Sequence, residues 1–127
     1  MIIGIGCDLV DSRRIEALWK RQGERFLNRI FTDLEQARAF KRVESFLGFS
    51  KIFAAKEAAI KALGGMSGIR WHDLEVQKDP LGKPILHISG IPGSVLAERF
   101  PGRLIQTHLT ISDEPPYAQG FVIIEAL

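Results

Sequence analysis

The sequence has a single cysteine, Cys7, in 127 residues, which excludes an intramolecular disulfide and a cysteine-rich zinc site. Alternation along the first strand places Cys7 on an apolar face, where we expect it to be buried. A long apolar run is also missing. The opening segment 2–10 is too short to cross a bilayer, contains Asp8 and follows no basic leader. These absences make the cytoplasm the expected location, with no membrane partner.

Charge of one sign is not in large excess. Lysine and arginine number 17 against 15 aspartate and glutamate, and a net charge of +2 is too small to indicate nucleic-acid binding. The distribution is uneven, since segment 11–29 holds six basic residues against three acidic ones. Arginine predominates there and is interleaved with Trp19, Phe26 and Leu27. This pattern favours a docking surface for an acidic partner over a solvated helix face.

Length and patterning predict one α+β domain over 1–127. The composition, 46% hydrophobic and 25% charged, is that of a soluble globular protein. Helical spacing in the first half and alternation in the second favour a mainly antiparallel sheet packed with helices. Thr32 and Glu35 indicate a helix-capping box. The predicted elements are a strand over 2–10, helices over about 12–22, 24–30, 32–42 and 49–63, a hairpin of strands 71–78 and 85–89, a helix over 94–100, and a hairpin of strands 104–112 and 118–125.

Two acidic residues, Asp8 and Glu57, lie in segments of small residues. Asp8 shares a strand face with Gly4 and Gly6, and we expect these glycines to clear space beside the carboxylate. Glu57 lies one helical turn before Lys61, among alanines that also leave room for a bulky anion. If Asp8 and Glu57 converge, their oxygens suit Mg²⁺ that holds a phosphorylated substrate.

Ordinary structural roles are also open for these side chains. Asp8 lies at a strand-to-helix junction, where a carboxylate can cap the following helix. Glu57 and Lys61, considered alone, form the favoured orientation of a helical surface pair. We expect Lys56 to be a solvated residue at the edge of the same helix.

The histidines differ in their surroundings. His108 shares a polar strand face with Thr110 and Ser112, where it is either a partner for a phosphate or hydroxyl, or a partly buried and satisfied side chain. His72 and His87 have no companions at metal-ligand spacing.

Known nucleotide and nucleophile motifs are missing. Gly4 and Gly6 do not indicate a dinucleotide site, because Leu9 stands where that fingerprint has its third glycine. A Walker loop and a nucleophile elbow are also absent.

Two segments resemble a known family. They are residues 4–10, GIGCDLV, followed by Arg14-Ile15, and residues 53–58, FAAKEA, followed by Lys61-Ala62. Segments 71–76, 82–84 and 108–112 follow in the same order along the chain. Together they closely resemble holo-[acyl-carrier-protein] synthases, the short bacterial type of 4′-phosphopantetheinyl transferase.

The resemblance implies a fold and a reaction. The family has a phosphopantetheinyl-transferase-like fold and forms homotrimers with active sites between subunits. Its members move phosphopantetheine from coenzyme A to a serine of apo acyl carrier protein, release adenosine 3′,5′-bisphosphate and support fatty acid biosynthesis. By resemblance, Arg14 and Arg21 face the acidic carrier protein.

The resemblance also implies roles for the candidate site residues. Asp8 and Glu57 would coordinate Mg²⁺, Lys61 would contact the substrate phosphates, and His108 would lie near the nucleotide. Glu57, directly or through a water, is our candidate for taking the serine proton.

The chain departs from the family pattern in three places. Segment 64–68 is shorter by about two residues than the family's loop, which shapes the nucleotide pocket. Ile52 stands where many members have an arginine, so a phosphate contact is either missing or supplied by Lys51. Asp113 stands where many members have histidine or threonine, and we assign it no function.

Two other classes of protein remain as alternatives. One is a non-catalytic module that binds coenzyme A or a carrier protein. The other is an oligomeric scaffold in which Glu57 and Lys61 only support their helix. The joint presence of Asp8, Glu57 and Lys61 argues against the first.

Overall fold

One long helix packed against a three-stranded sheet forms the centre of the fold. The computed structural model describes all 127 residues. The elements are β1 (Ile2–Asp11), α1 (Ser12–Gln22), α2 (Glu24–Ile30), α3 (Asp33–Phe40), α4 (Ser45–Ala62), β2 (Leu74–Lys78), β3 (Pro84–Ile88), α5 (Gly90–Arg99), β4 (Ile105–Glu114) and β5 (Tyr117–Ala126).

The strands form two antiparallel sheets. The larger has the order β1–β5–β4, and the smaller is the hairpin of β2 and β3. Both predicted hairpins and the α+β class are therefore confirmed. The predicted capping box is present as well, with Thr32 and Glu35 each bonded to the other's backbone at the start of α3.

Glycines let α4 lie directly on the larger sheet. A methyl group at any of three sheet glycines would collide with the backbone of α4. The expectation that Gly4 and Gly6 clear space beside the Asp8 carboxylate is therefore wrong, because the helix fills that space. The glycines are Gly4 and Gly6 in β1 and Gly120 in β5, and their neighbours in α4 are Ala62, Ala58 and Ala54.

The other face of this sheet, which we call the outer face, has no cover within the chain. Ile5 is 62% exposed and Leu9 is 64% exposed. Cys7 lies between them and is also exposed, so its expected burial is wrong. The pairing register continues this apolar surface onto Phe121 and Ile123 of β5. α4 covers the glycine face, which leaves the isoleucine and leucine side chains outside.

Several element boundaries differ from the prediction. α4 begins at Ser45 rather than at residue 49, and at Gly48 it passes close to Ala39 of α3. α3 ends at Phe40, before residue 42, and α5 begins at Gly90, before residue 94. Residues 71–73 form a 3₁₀ turn ahead of β2 instead of a strand.

None of the helices combines the length and apolar character that crossing a bilayer would require.

Candidate active site

β1 and α4 bring Asp8 and Lys61 into direct contact. Asp8 lies on the α4 side of the sheet, and its side chain is 17% exposed. The Lys61 Nζ donates to Asp8 Oδ1 at 3.0 Å and to the backbone oxygen of Cys7 at 2.9 Å. The hydrogen bond to Asp8 raises the pKa of Lys61, so this ammonium stays charged beside the carboxylate.

A neighbour of Asp8 performs the capping role. Asp11 is the N-cap of α1, and its side chain accepts a hydrogen bond from the Arg13 backbone nitrogen at 2.9 Å. Asp8 is therefore not the helix cap, and its carboxylate is directed to α4 instead.

Glu57 shares the electrostatic environment of Asp8. It is half-buried one helical turn before Lys61. Burial raises the pKa of the Glu57 carboxyl most strongly, and the negative charge of Asp8 raises it further, whereas Arg14 and Lys61 lower it. The two predicted acids thus converge near the Lys61 ammonium. A cation bound between the Asp8 and Glu57 carboxylates would reduce the repulsion between their negative charges.

An aromatic stack connects α1 to this part of α4. The Arg14 guanidinium carbon lies 5.7 Å from the centroid of the Phe53 ring. Phe53 stacks on Trp71 at 5.4 Å between centroids and 26° between planes. Arg14 therefore has a position beside the acidic pair, whereas Arg21 is exposed at the far end of α1.

Lys56 is fully buried, contrary to the expected solvated position. Its Nζ lies 2.7 Å from Glu35 Oε1 and donates to the Trp71 backbone oxygen at 3.0 Å. Glu35 is also fully buried. Lys56 lies on the side of α4 that faces α3 and β2, and its partner is 21 positions earlier in the chain, which helical spacing does not reveal.

His108 lies on the outer face of the sheet, opposite to Asp8. The register aligns His108 with Ile123 and Ile5, whereas Asp8 aligns with Gly120 on the α4 side. His108 Nε2 is 2.9 Å from Glu125 Oε1. Within one chain, the structure does not bring His108 to the acidic pair. Instead it lines an open groove of about 530 Å³ together with Lys83 and Phe121.

A second groove is rich in basic side chains and was not predicted. It has a volume of about 210 Å³ and lies between α3, α4 and the β2–β3 hairpin. Lys51 at its edge forms an ion pair with Asp113, with Nζ to Oδ1 at 3.4 Å. The basic residues come from separate elements, so no local motif marks them. They are Arg38, Arg42, Lys51 and Lys78.

Comparison with known proteins identifies the family. Residues 4–116 match the model of the 4′-phosphopantetheinyl transferase superfamily. The chain is 49% identical over 130 residues to the holo-[acyl-carrier-protein] synthase of Methylobacterium radiotolerans, with 100% of this chain and 96% of the relative covered. The chain belongs to the holo-[acyl-carrier-protein] synthase family.

Solved structures of this family have the same fold. The holo-[acyl-carrier-protein] synthase of Neisseria meningitidis is similar with a TM-score of 0.81 at 36% identity, over 98% of this chain and 99% of that chain. The ACPS-CoA complex of Chronobacterium ammoniagenes is similar with a TM-score of 0.82 at 25% identity, over 98% of this chain and 97% of that chain. The synthase-family resemblance inferred from the sequence motifs is confirmed.

The acidic pair of this synthase fits a magnesium ion. No group of three or more histidine, cysteine, aspartate and glutamate side chains lies together as a complete metal cage. Mg²⁺ does not need such a cage, because it commonly binds one or two carboxylates together with substrate phosphates and waters. Asp8 and Glu57 are hard oxygen donors whose charges already act on each other.

His72 has a separate contact, at 2.8 Å from the Asn28 backbone oxygen.

The short segment after α4 of this synthase turns on glycines. Gly64, Gly65 and Gly68 have φ values of 70°, 69° and 83°, a region that side-chain-bearing residues rarely adopt. The Gly64 nitrogen donates to the Lys61 oxygen at 3.0 Å and the Gly65 nitrogen to the Ile60 oxygen at 3.3 Å, so the helix ends directly after Lys61.

Proposed function

We propose that this synthase transfers 4′-phosphopantetheine from coenzyme A to a serine of apo acyl carrier protein in an Mg²⁺-dependent reaction. The products are holo carrier protein and adenosine 3′,5′-bisphosphate, and the setting is fatty acid biosynthesis in the cytoplasm. The observation that carries the proposal is the contact of Lys61 with Asp8 beside Glu57. Phosphoryl transfer depends on positioning and charge neutralisation, and this arrangement offers two carboxylates and an ammonium in one place.

Each member of this cluster has a task in the reaction. Asp8 and Glu57 would hold Mg²⁺, which would supply charge neutralisation and Lewis acidity at the pyrophosphate. Lys61 leaves part of its contact with Asp8 and donates to a phosphate oxygen of coenzyme A. Glu57 would accept the proton of the carrier serine, directly or through a water.

The helix α1 is the proposed docking site for the carrier protein. Arg14 and Arg21 are exposed on it, and the acidic pair lies next to Arg14. A negatively charged carrier would be attracted to this helix and would present its serine at the adjacent site. Such steering weakens as salt screens the charges.

The proposed active assembly is a homotrimer with sites between subunits. The uncovered apolar outer face, with Ile5 and Leu9 mainly exposed, supports this assembly. The position of His108 supports it too, because a histidine on the outer face can reach a site only in a neighbouring subunit. There His108 and the basic groove at Lys51 would receive the nucleotide phosphates of coenzyme A.

A mass-gain assay tests the proposed reaction. Purified protein is incubated with Mg²⁺, coenzyme A and several apo carrier proteins, and each carrier is weighed intact. We expect one phosphopantetheine group to be added to a carrier serine. Asp8→Ala and Glu57→Ala should lower the rate by about a hundredfold or more, because each removes charge stabilisation that the transition state needs.

Glu98→Ala is the matched control, since Glu98 is an exposed acid on α5, outside the proposed site. Carrier binding, measured by calorimetry, should persist in the Asp8 and Glu57 variants. Absence of any mass gain with the parent protein would reject the transferase proposal, and binding without mass gain would favour a binding module. Parent-like rates in both acid variants would reject their assignment.

A further inference from the structure

The most strongly buried charges of the molecule lie next to the proposed site but outside it. Lys56 and Glu35 are both fully buried, and neither contacts the acidic pair. Ions at such positions are unfavourable unless their partners satisfy them completely. Every buried side-chain nitrogen and oxygen in this chain has a hydrogen-bond partner, so this pair is a completed network.

The network connects four separate segments. Glu35 Oε1 accepts from the Thr32 backbone nitrogen at 2.8 Å as well as from Lys56. Glu35 Oε2 accepts from the Val76 backbone nitrogen at 2.8 Å. Lys56 Nζ donates to the Trp71 backbone oxygen at 3.0 Å. Lys56 of α4 is thus fixed to Glu35 of α3 and to the turn before β2, and Glu35 in turn connects it to β2.

On the opposite side, α4 has a polar contact with β1 through Lys61, whose side chain is 55% exposed and donates to Asp8 and to the Cys7 backbone oxygen. There the helix rests on Gly4, Gly6 and Gly120 through alanines, which allows a close approach but offers few side chains that interlock. Successive residues of a helix are separated by about 100° of rotation and about 1.5 Å along its axis, so a small turn of α4 changes where Glu57 points. A directional polar tie on the other side resists this turn.

The same network also holds the aromatic stack. Lys56 fixes the backbone of Trp71, and the Trp71 ring stacks on Phe53. Phe53 in turn carries the Arg14 guanidinium, whose charge acts on Glu57. Lys56 therefore influences Glu57 by two routes, along the helix and through the stack.

We infer that Lys56, tied to Glu35, is a positioning residue that sets the rotation of α4 and so directs Glu57 and Lys61 toward Asp8. The inference rests on the proposed transfer function, because its main readout is transfer. It assigns to the pair an effect on the rate of the chemical step that is separate from its effect on stability.

Three variants separate positioning from stability. Lys56→Met removes the ammonium but keeps a long side chain, and it should lower kcat by about tenfold or more, since small displacements of catalytic groups are costly. Affinity for the carrier, which docks on α1 rather than on α4, should stay near the parent value. Lys56→Met combined with Glu35→Gln removes both charges, so the melting temperature should recover while kcat stays low. Glu35→Asp keeps both charges and shortens the tie by one methylene.

The parent protein is measured in the same assay, so failure of the parent would reject the transferase proposal rather than this inference. Lys41→Met, which removes an exposed lysine, is the control and should match the parent. With an active parent, a parent-like kcat in the double variant would overturn the inference, as would a kcat loss that only follows the folded fraction. If neither Lys56→Met nor the double variant yields folded protein, Glu35→Asp decides the question. A lowered kcat in Glu35→Asp supports the inference, and a parent-like kcat overturns it.

Discussion

At the scale of residues, the charges around Glu57 determine how the site responds to pH. Burial and the negative charge of Asp8 raise the pKa of Glu57, so its protonated form persists to a higher pH than in a free side chain. The carboxylate that binds a cation or accepts a proton is lost as the pH falls through this raised value. With Mg²⁺ limiting, so that the metal-free protein is the species that titrates, the acid limb of the transfer rate should therefore begin above the ordinary glutamate value of 4.5.

Replacing Arg14 should move this acid limb further. Arg14 lowers the pKa of Glu57, so Arg14→Gln removes that effect and should shift the limb to higher pH. The measurement is kcat/KM for transfer as a function of pH. Arg21→Gln is the matched control, since Arg21 is on the same helix but does not act on Glu57. It should weaken carrier binding and leave the limb in place, and an equal shift in both variants would contradict the electrostatic explanation.

At the scale of elements, the packing of α4 on β1 determines whether the site exists. Gly6 lies directly under the backbone of Ala58, two residues along the strand from Asp8. Any side chain at Gly6 pushes the helix from the sheet, and the Lys61 contact with Asp8 opens with it. The contact between Lys61 and Asp8 therefore depends on Gly6, because only a residue without a side chain allows β1 and α4 to pack this closely.

Gly6→Ala should destabilise the fold by about 1–3 kcal/mol, the usual cost of overpacking a close contact. Urea denaturation checks this value. Gly93→Ala is the control, because Gly93 is helical and its nearest neighbour, the Ile88 oxygen, would be 3.3 Å from the added methyl. Its effect should be clearly smaller. Equal stability of Gly6→Ala and the parent would show that α4 does not depend on this contact.

The sequence predicted which residues share a face of a strand or helix, because that follows from backbone geometry alone. Alternation predicts the strand β1 and the common face of Gly6 and Asp8, and helical spacing predicts the common face of Glu57 and Lys61. Periodicity does not show which other element packs against each face. It therefore left open which side of β1 is covered, and it led to the wrong environment for Cys7 and for Lys56. Their surroundings depend on segments that are distant in the chain.

At the scale of the whole molecule, the bare outer face is the dominant feature. Ile5 and Leu9 expose most of their surface on this face, and Phe121 and Ile123 of β5 extend it. An apolar surface of this kind is typical of a protein interface. The single chain also divides the proposed site residues between two faces of one sheet, which a larger assembly would reunite.

Leu9→Lys should disrupt the proposed trimer, because it places a charge on the apolar outer face. Sedimentation or light scattering should then give the mass of one chain, 14.2 kDa, and transfer should fall with the loss of assembly. Leu81→Lys is the control, since Leu81 is 95% exposed in the β2–β3 turn. A parent protein that is monomeric and fully active would contradict the assembly proposal.

The separation of Asp8 and His108 on opposite sides of the sheet has a genetic consequence. In the proposed assembly, each reaction centre draws these two residues from different polypeptides. A chain damaged at Asp8 and a chain damaged at His108 would then complement each other when co-expressed, since mixed particles contain some undamaged centres. Two variants that are each inactive alone would together recover part of the transfer activity.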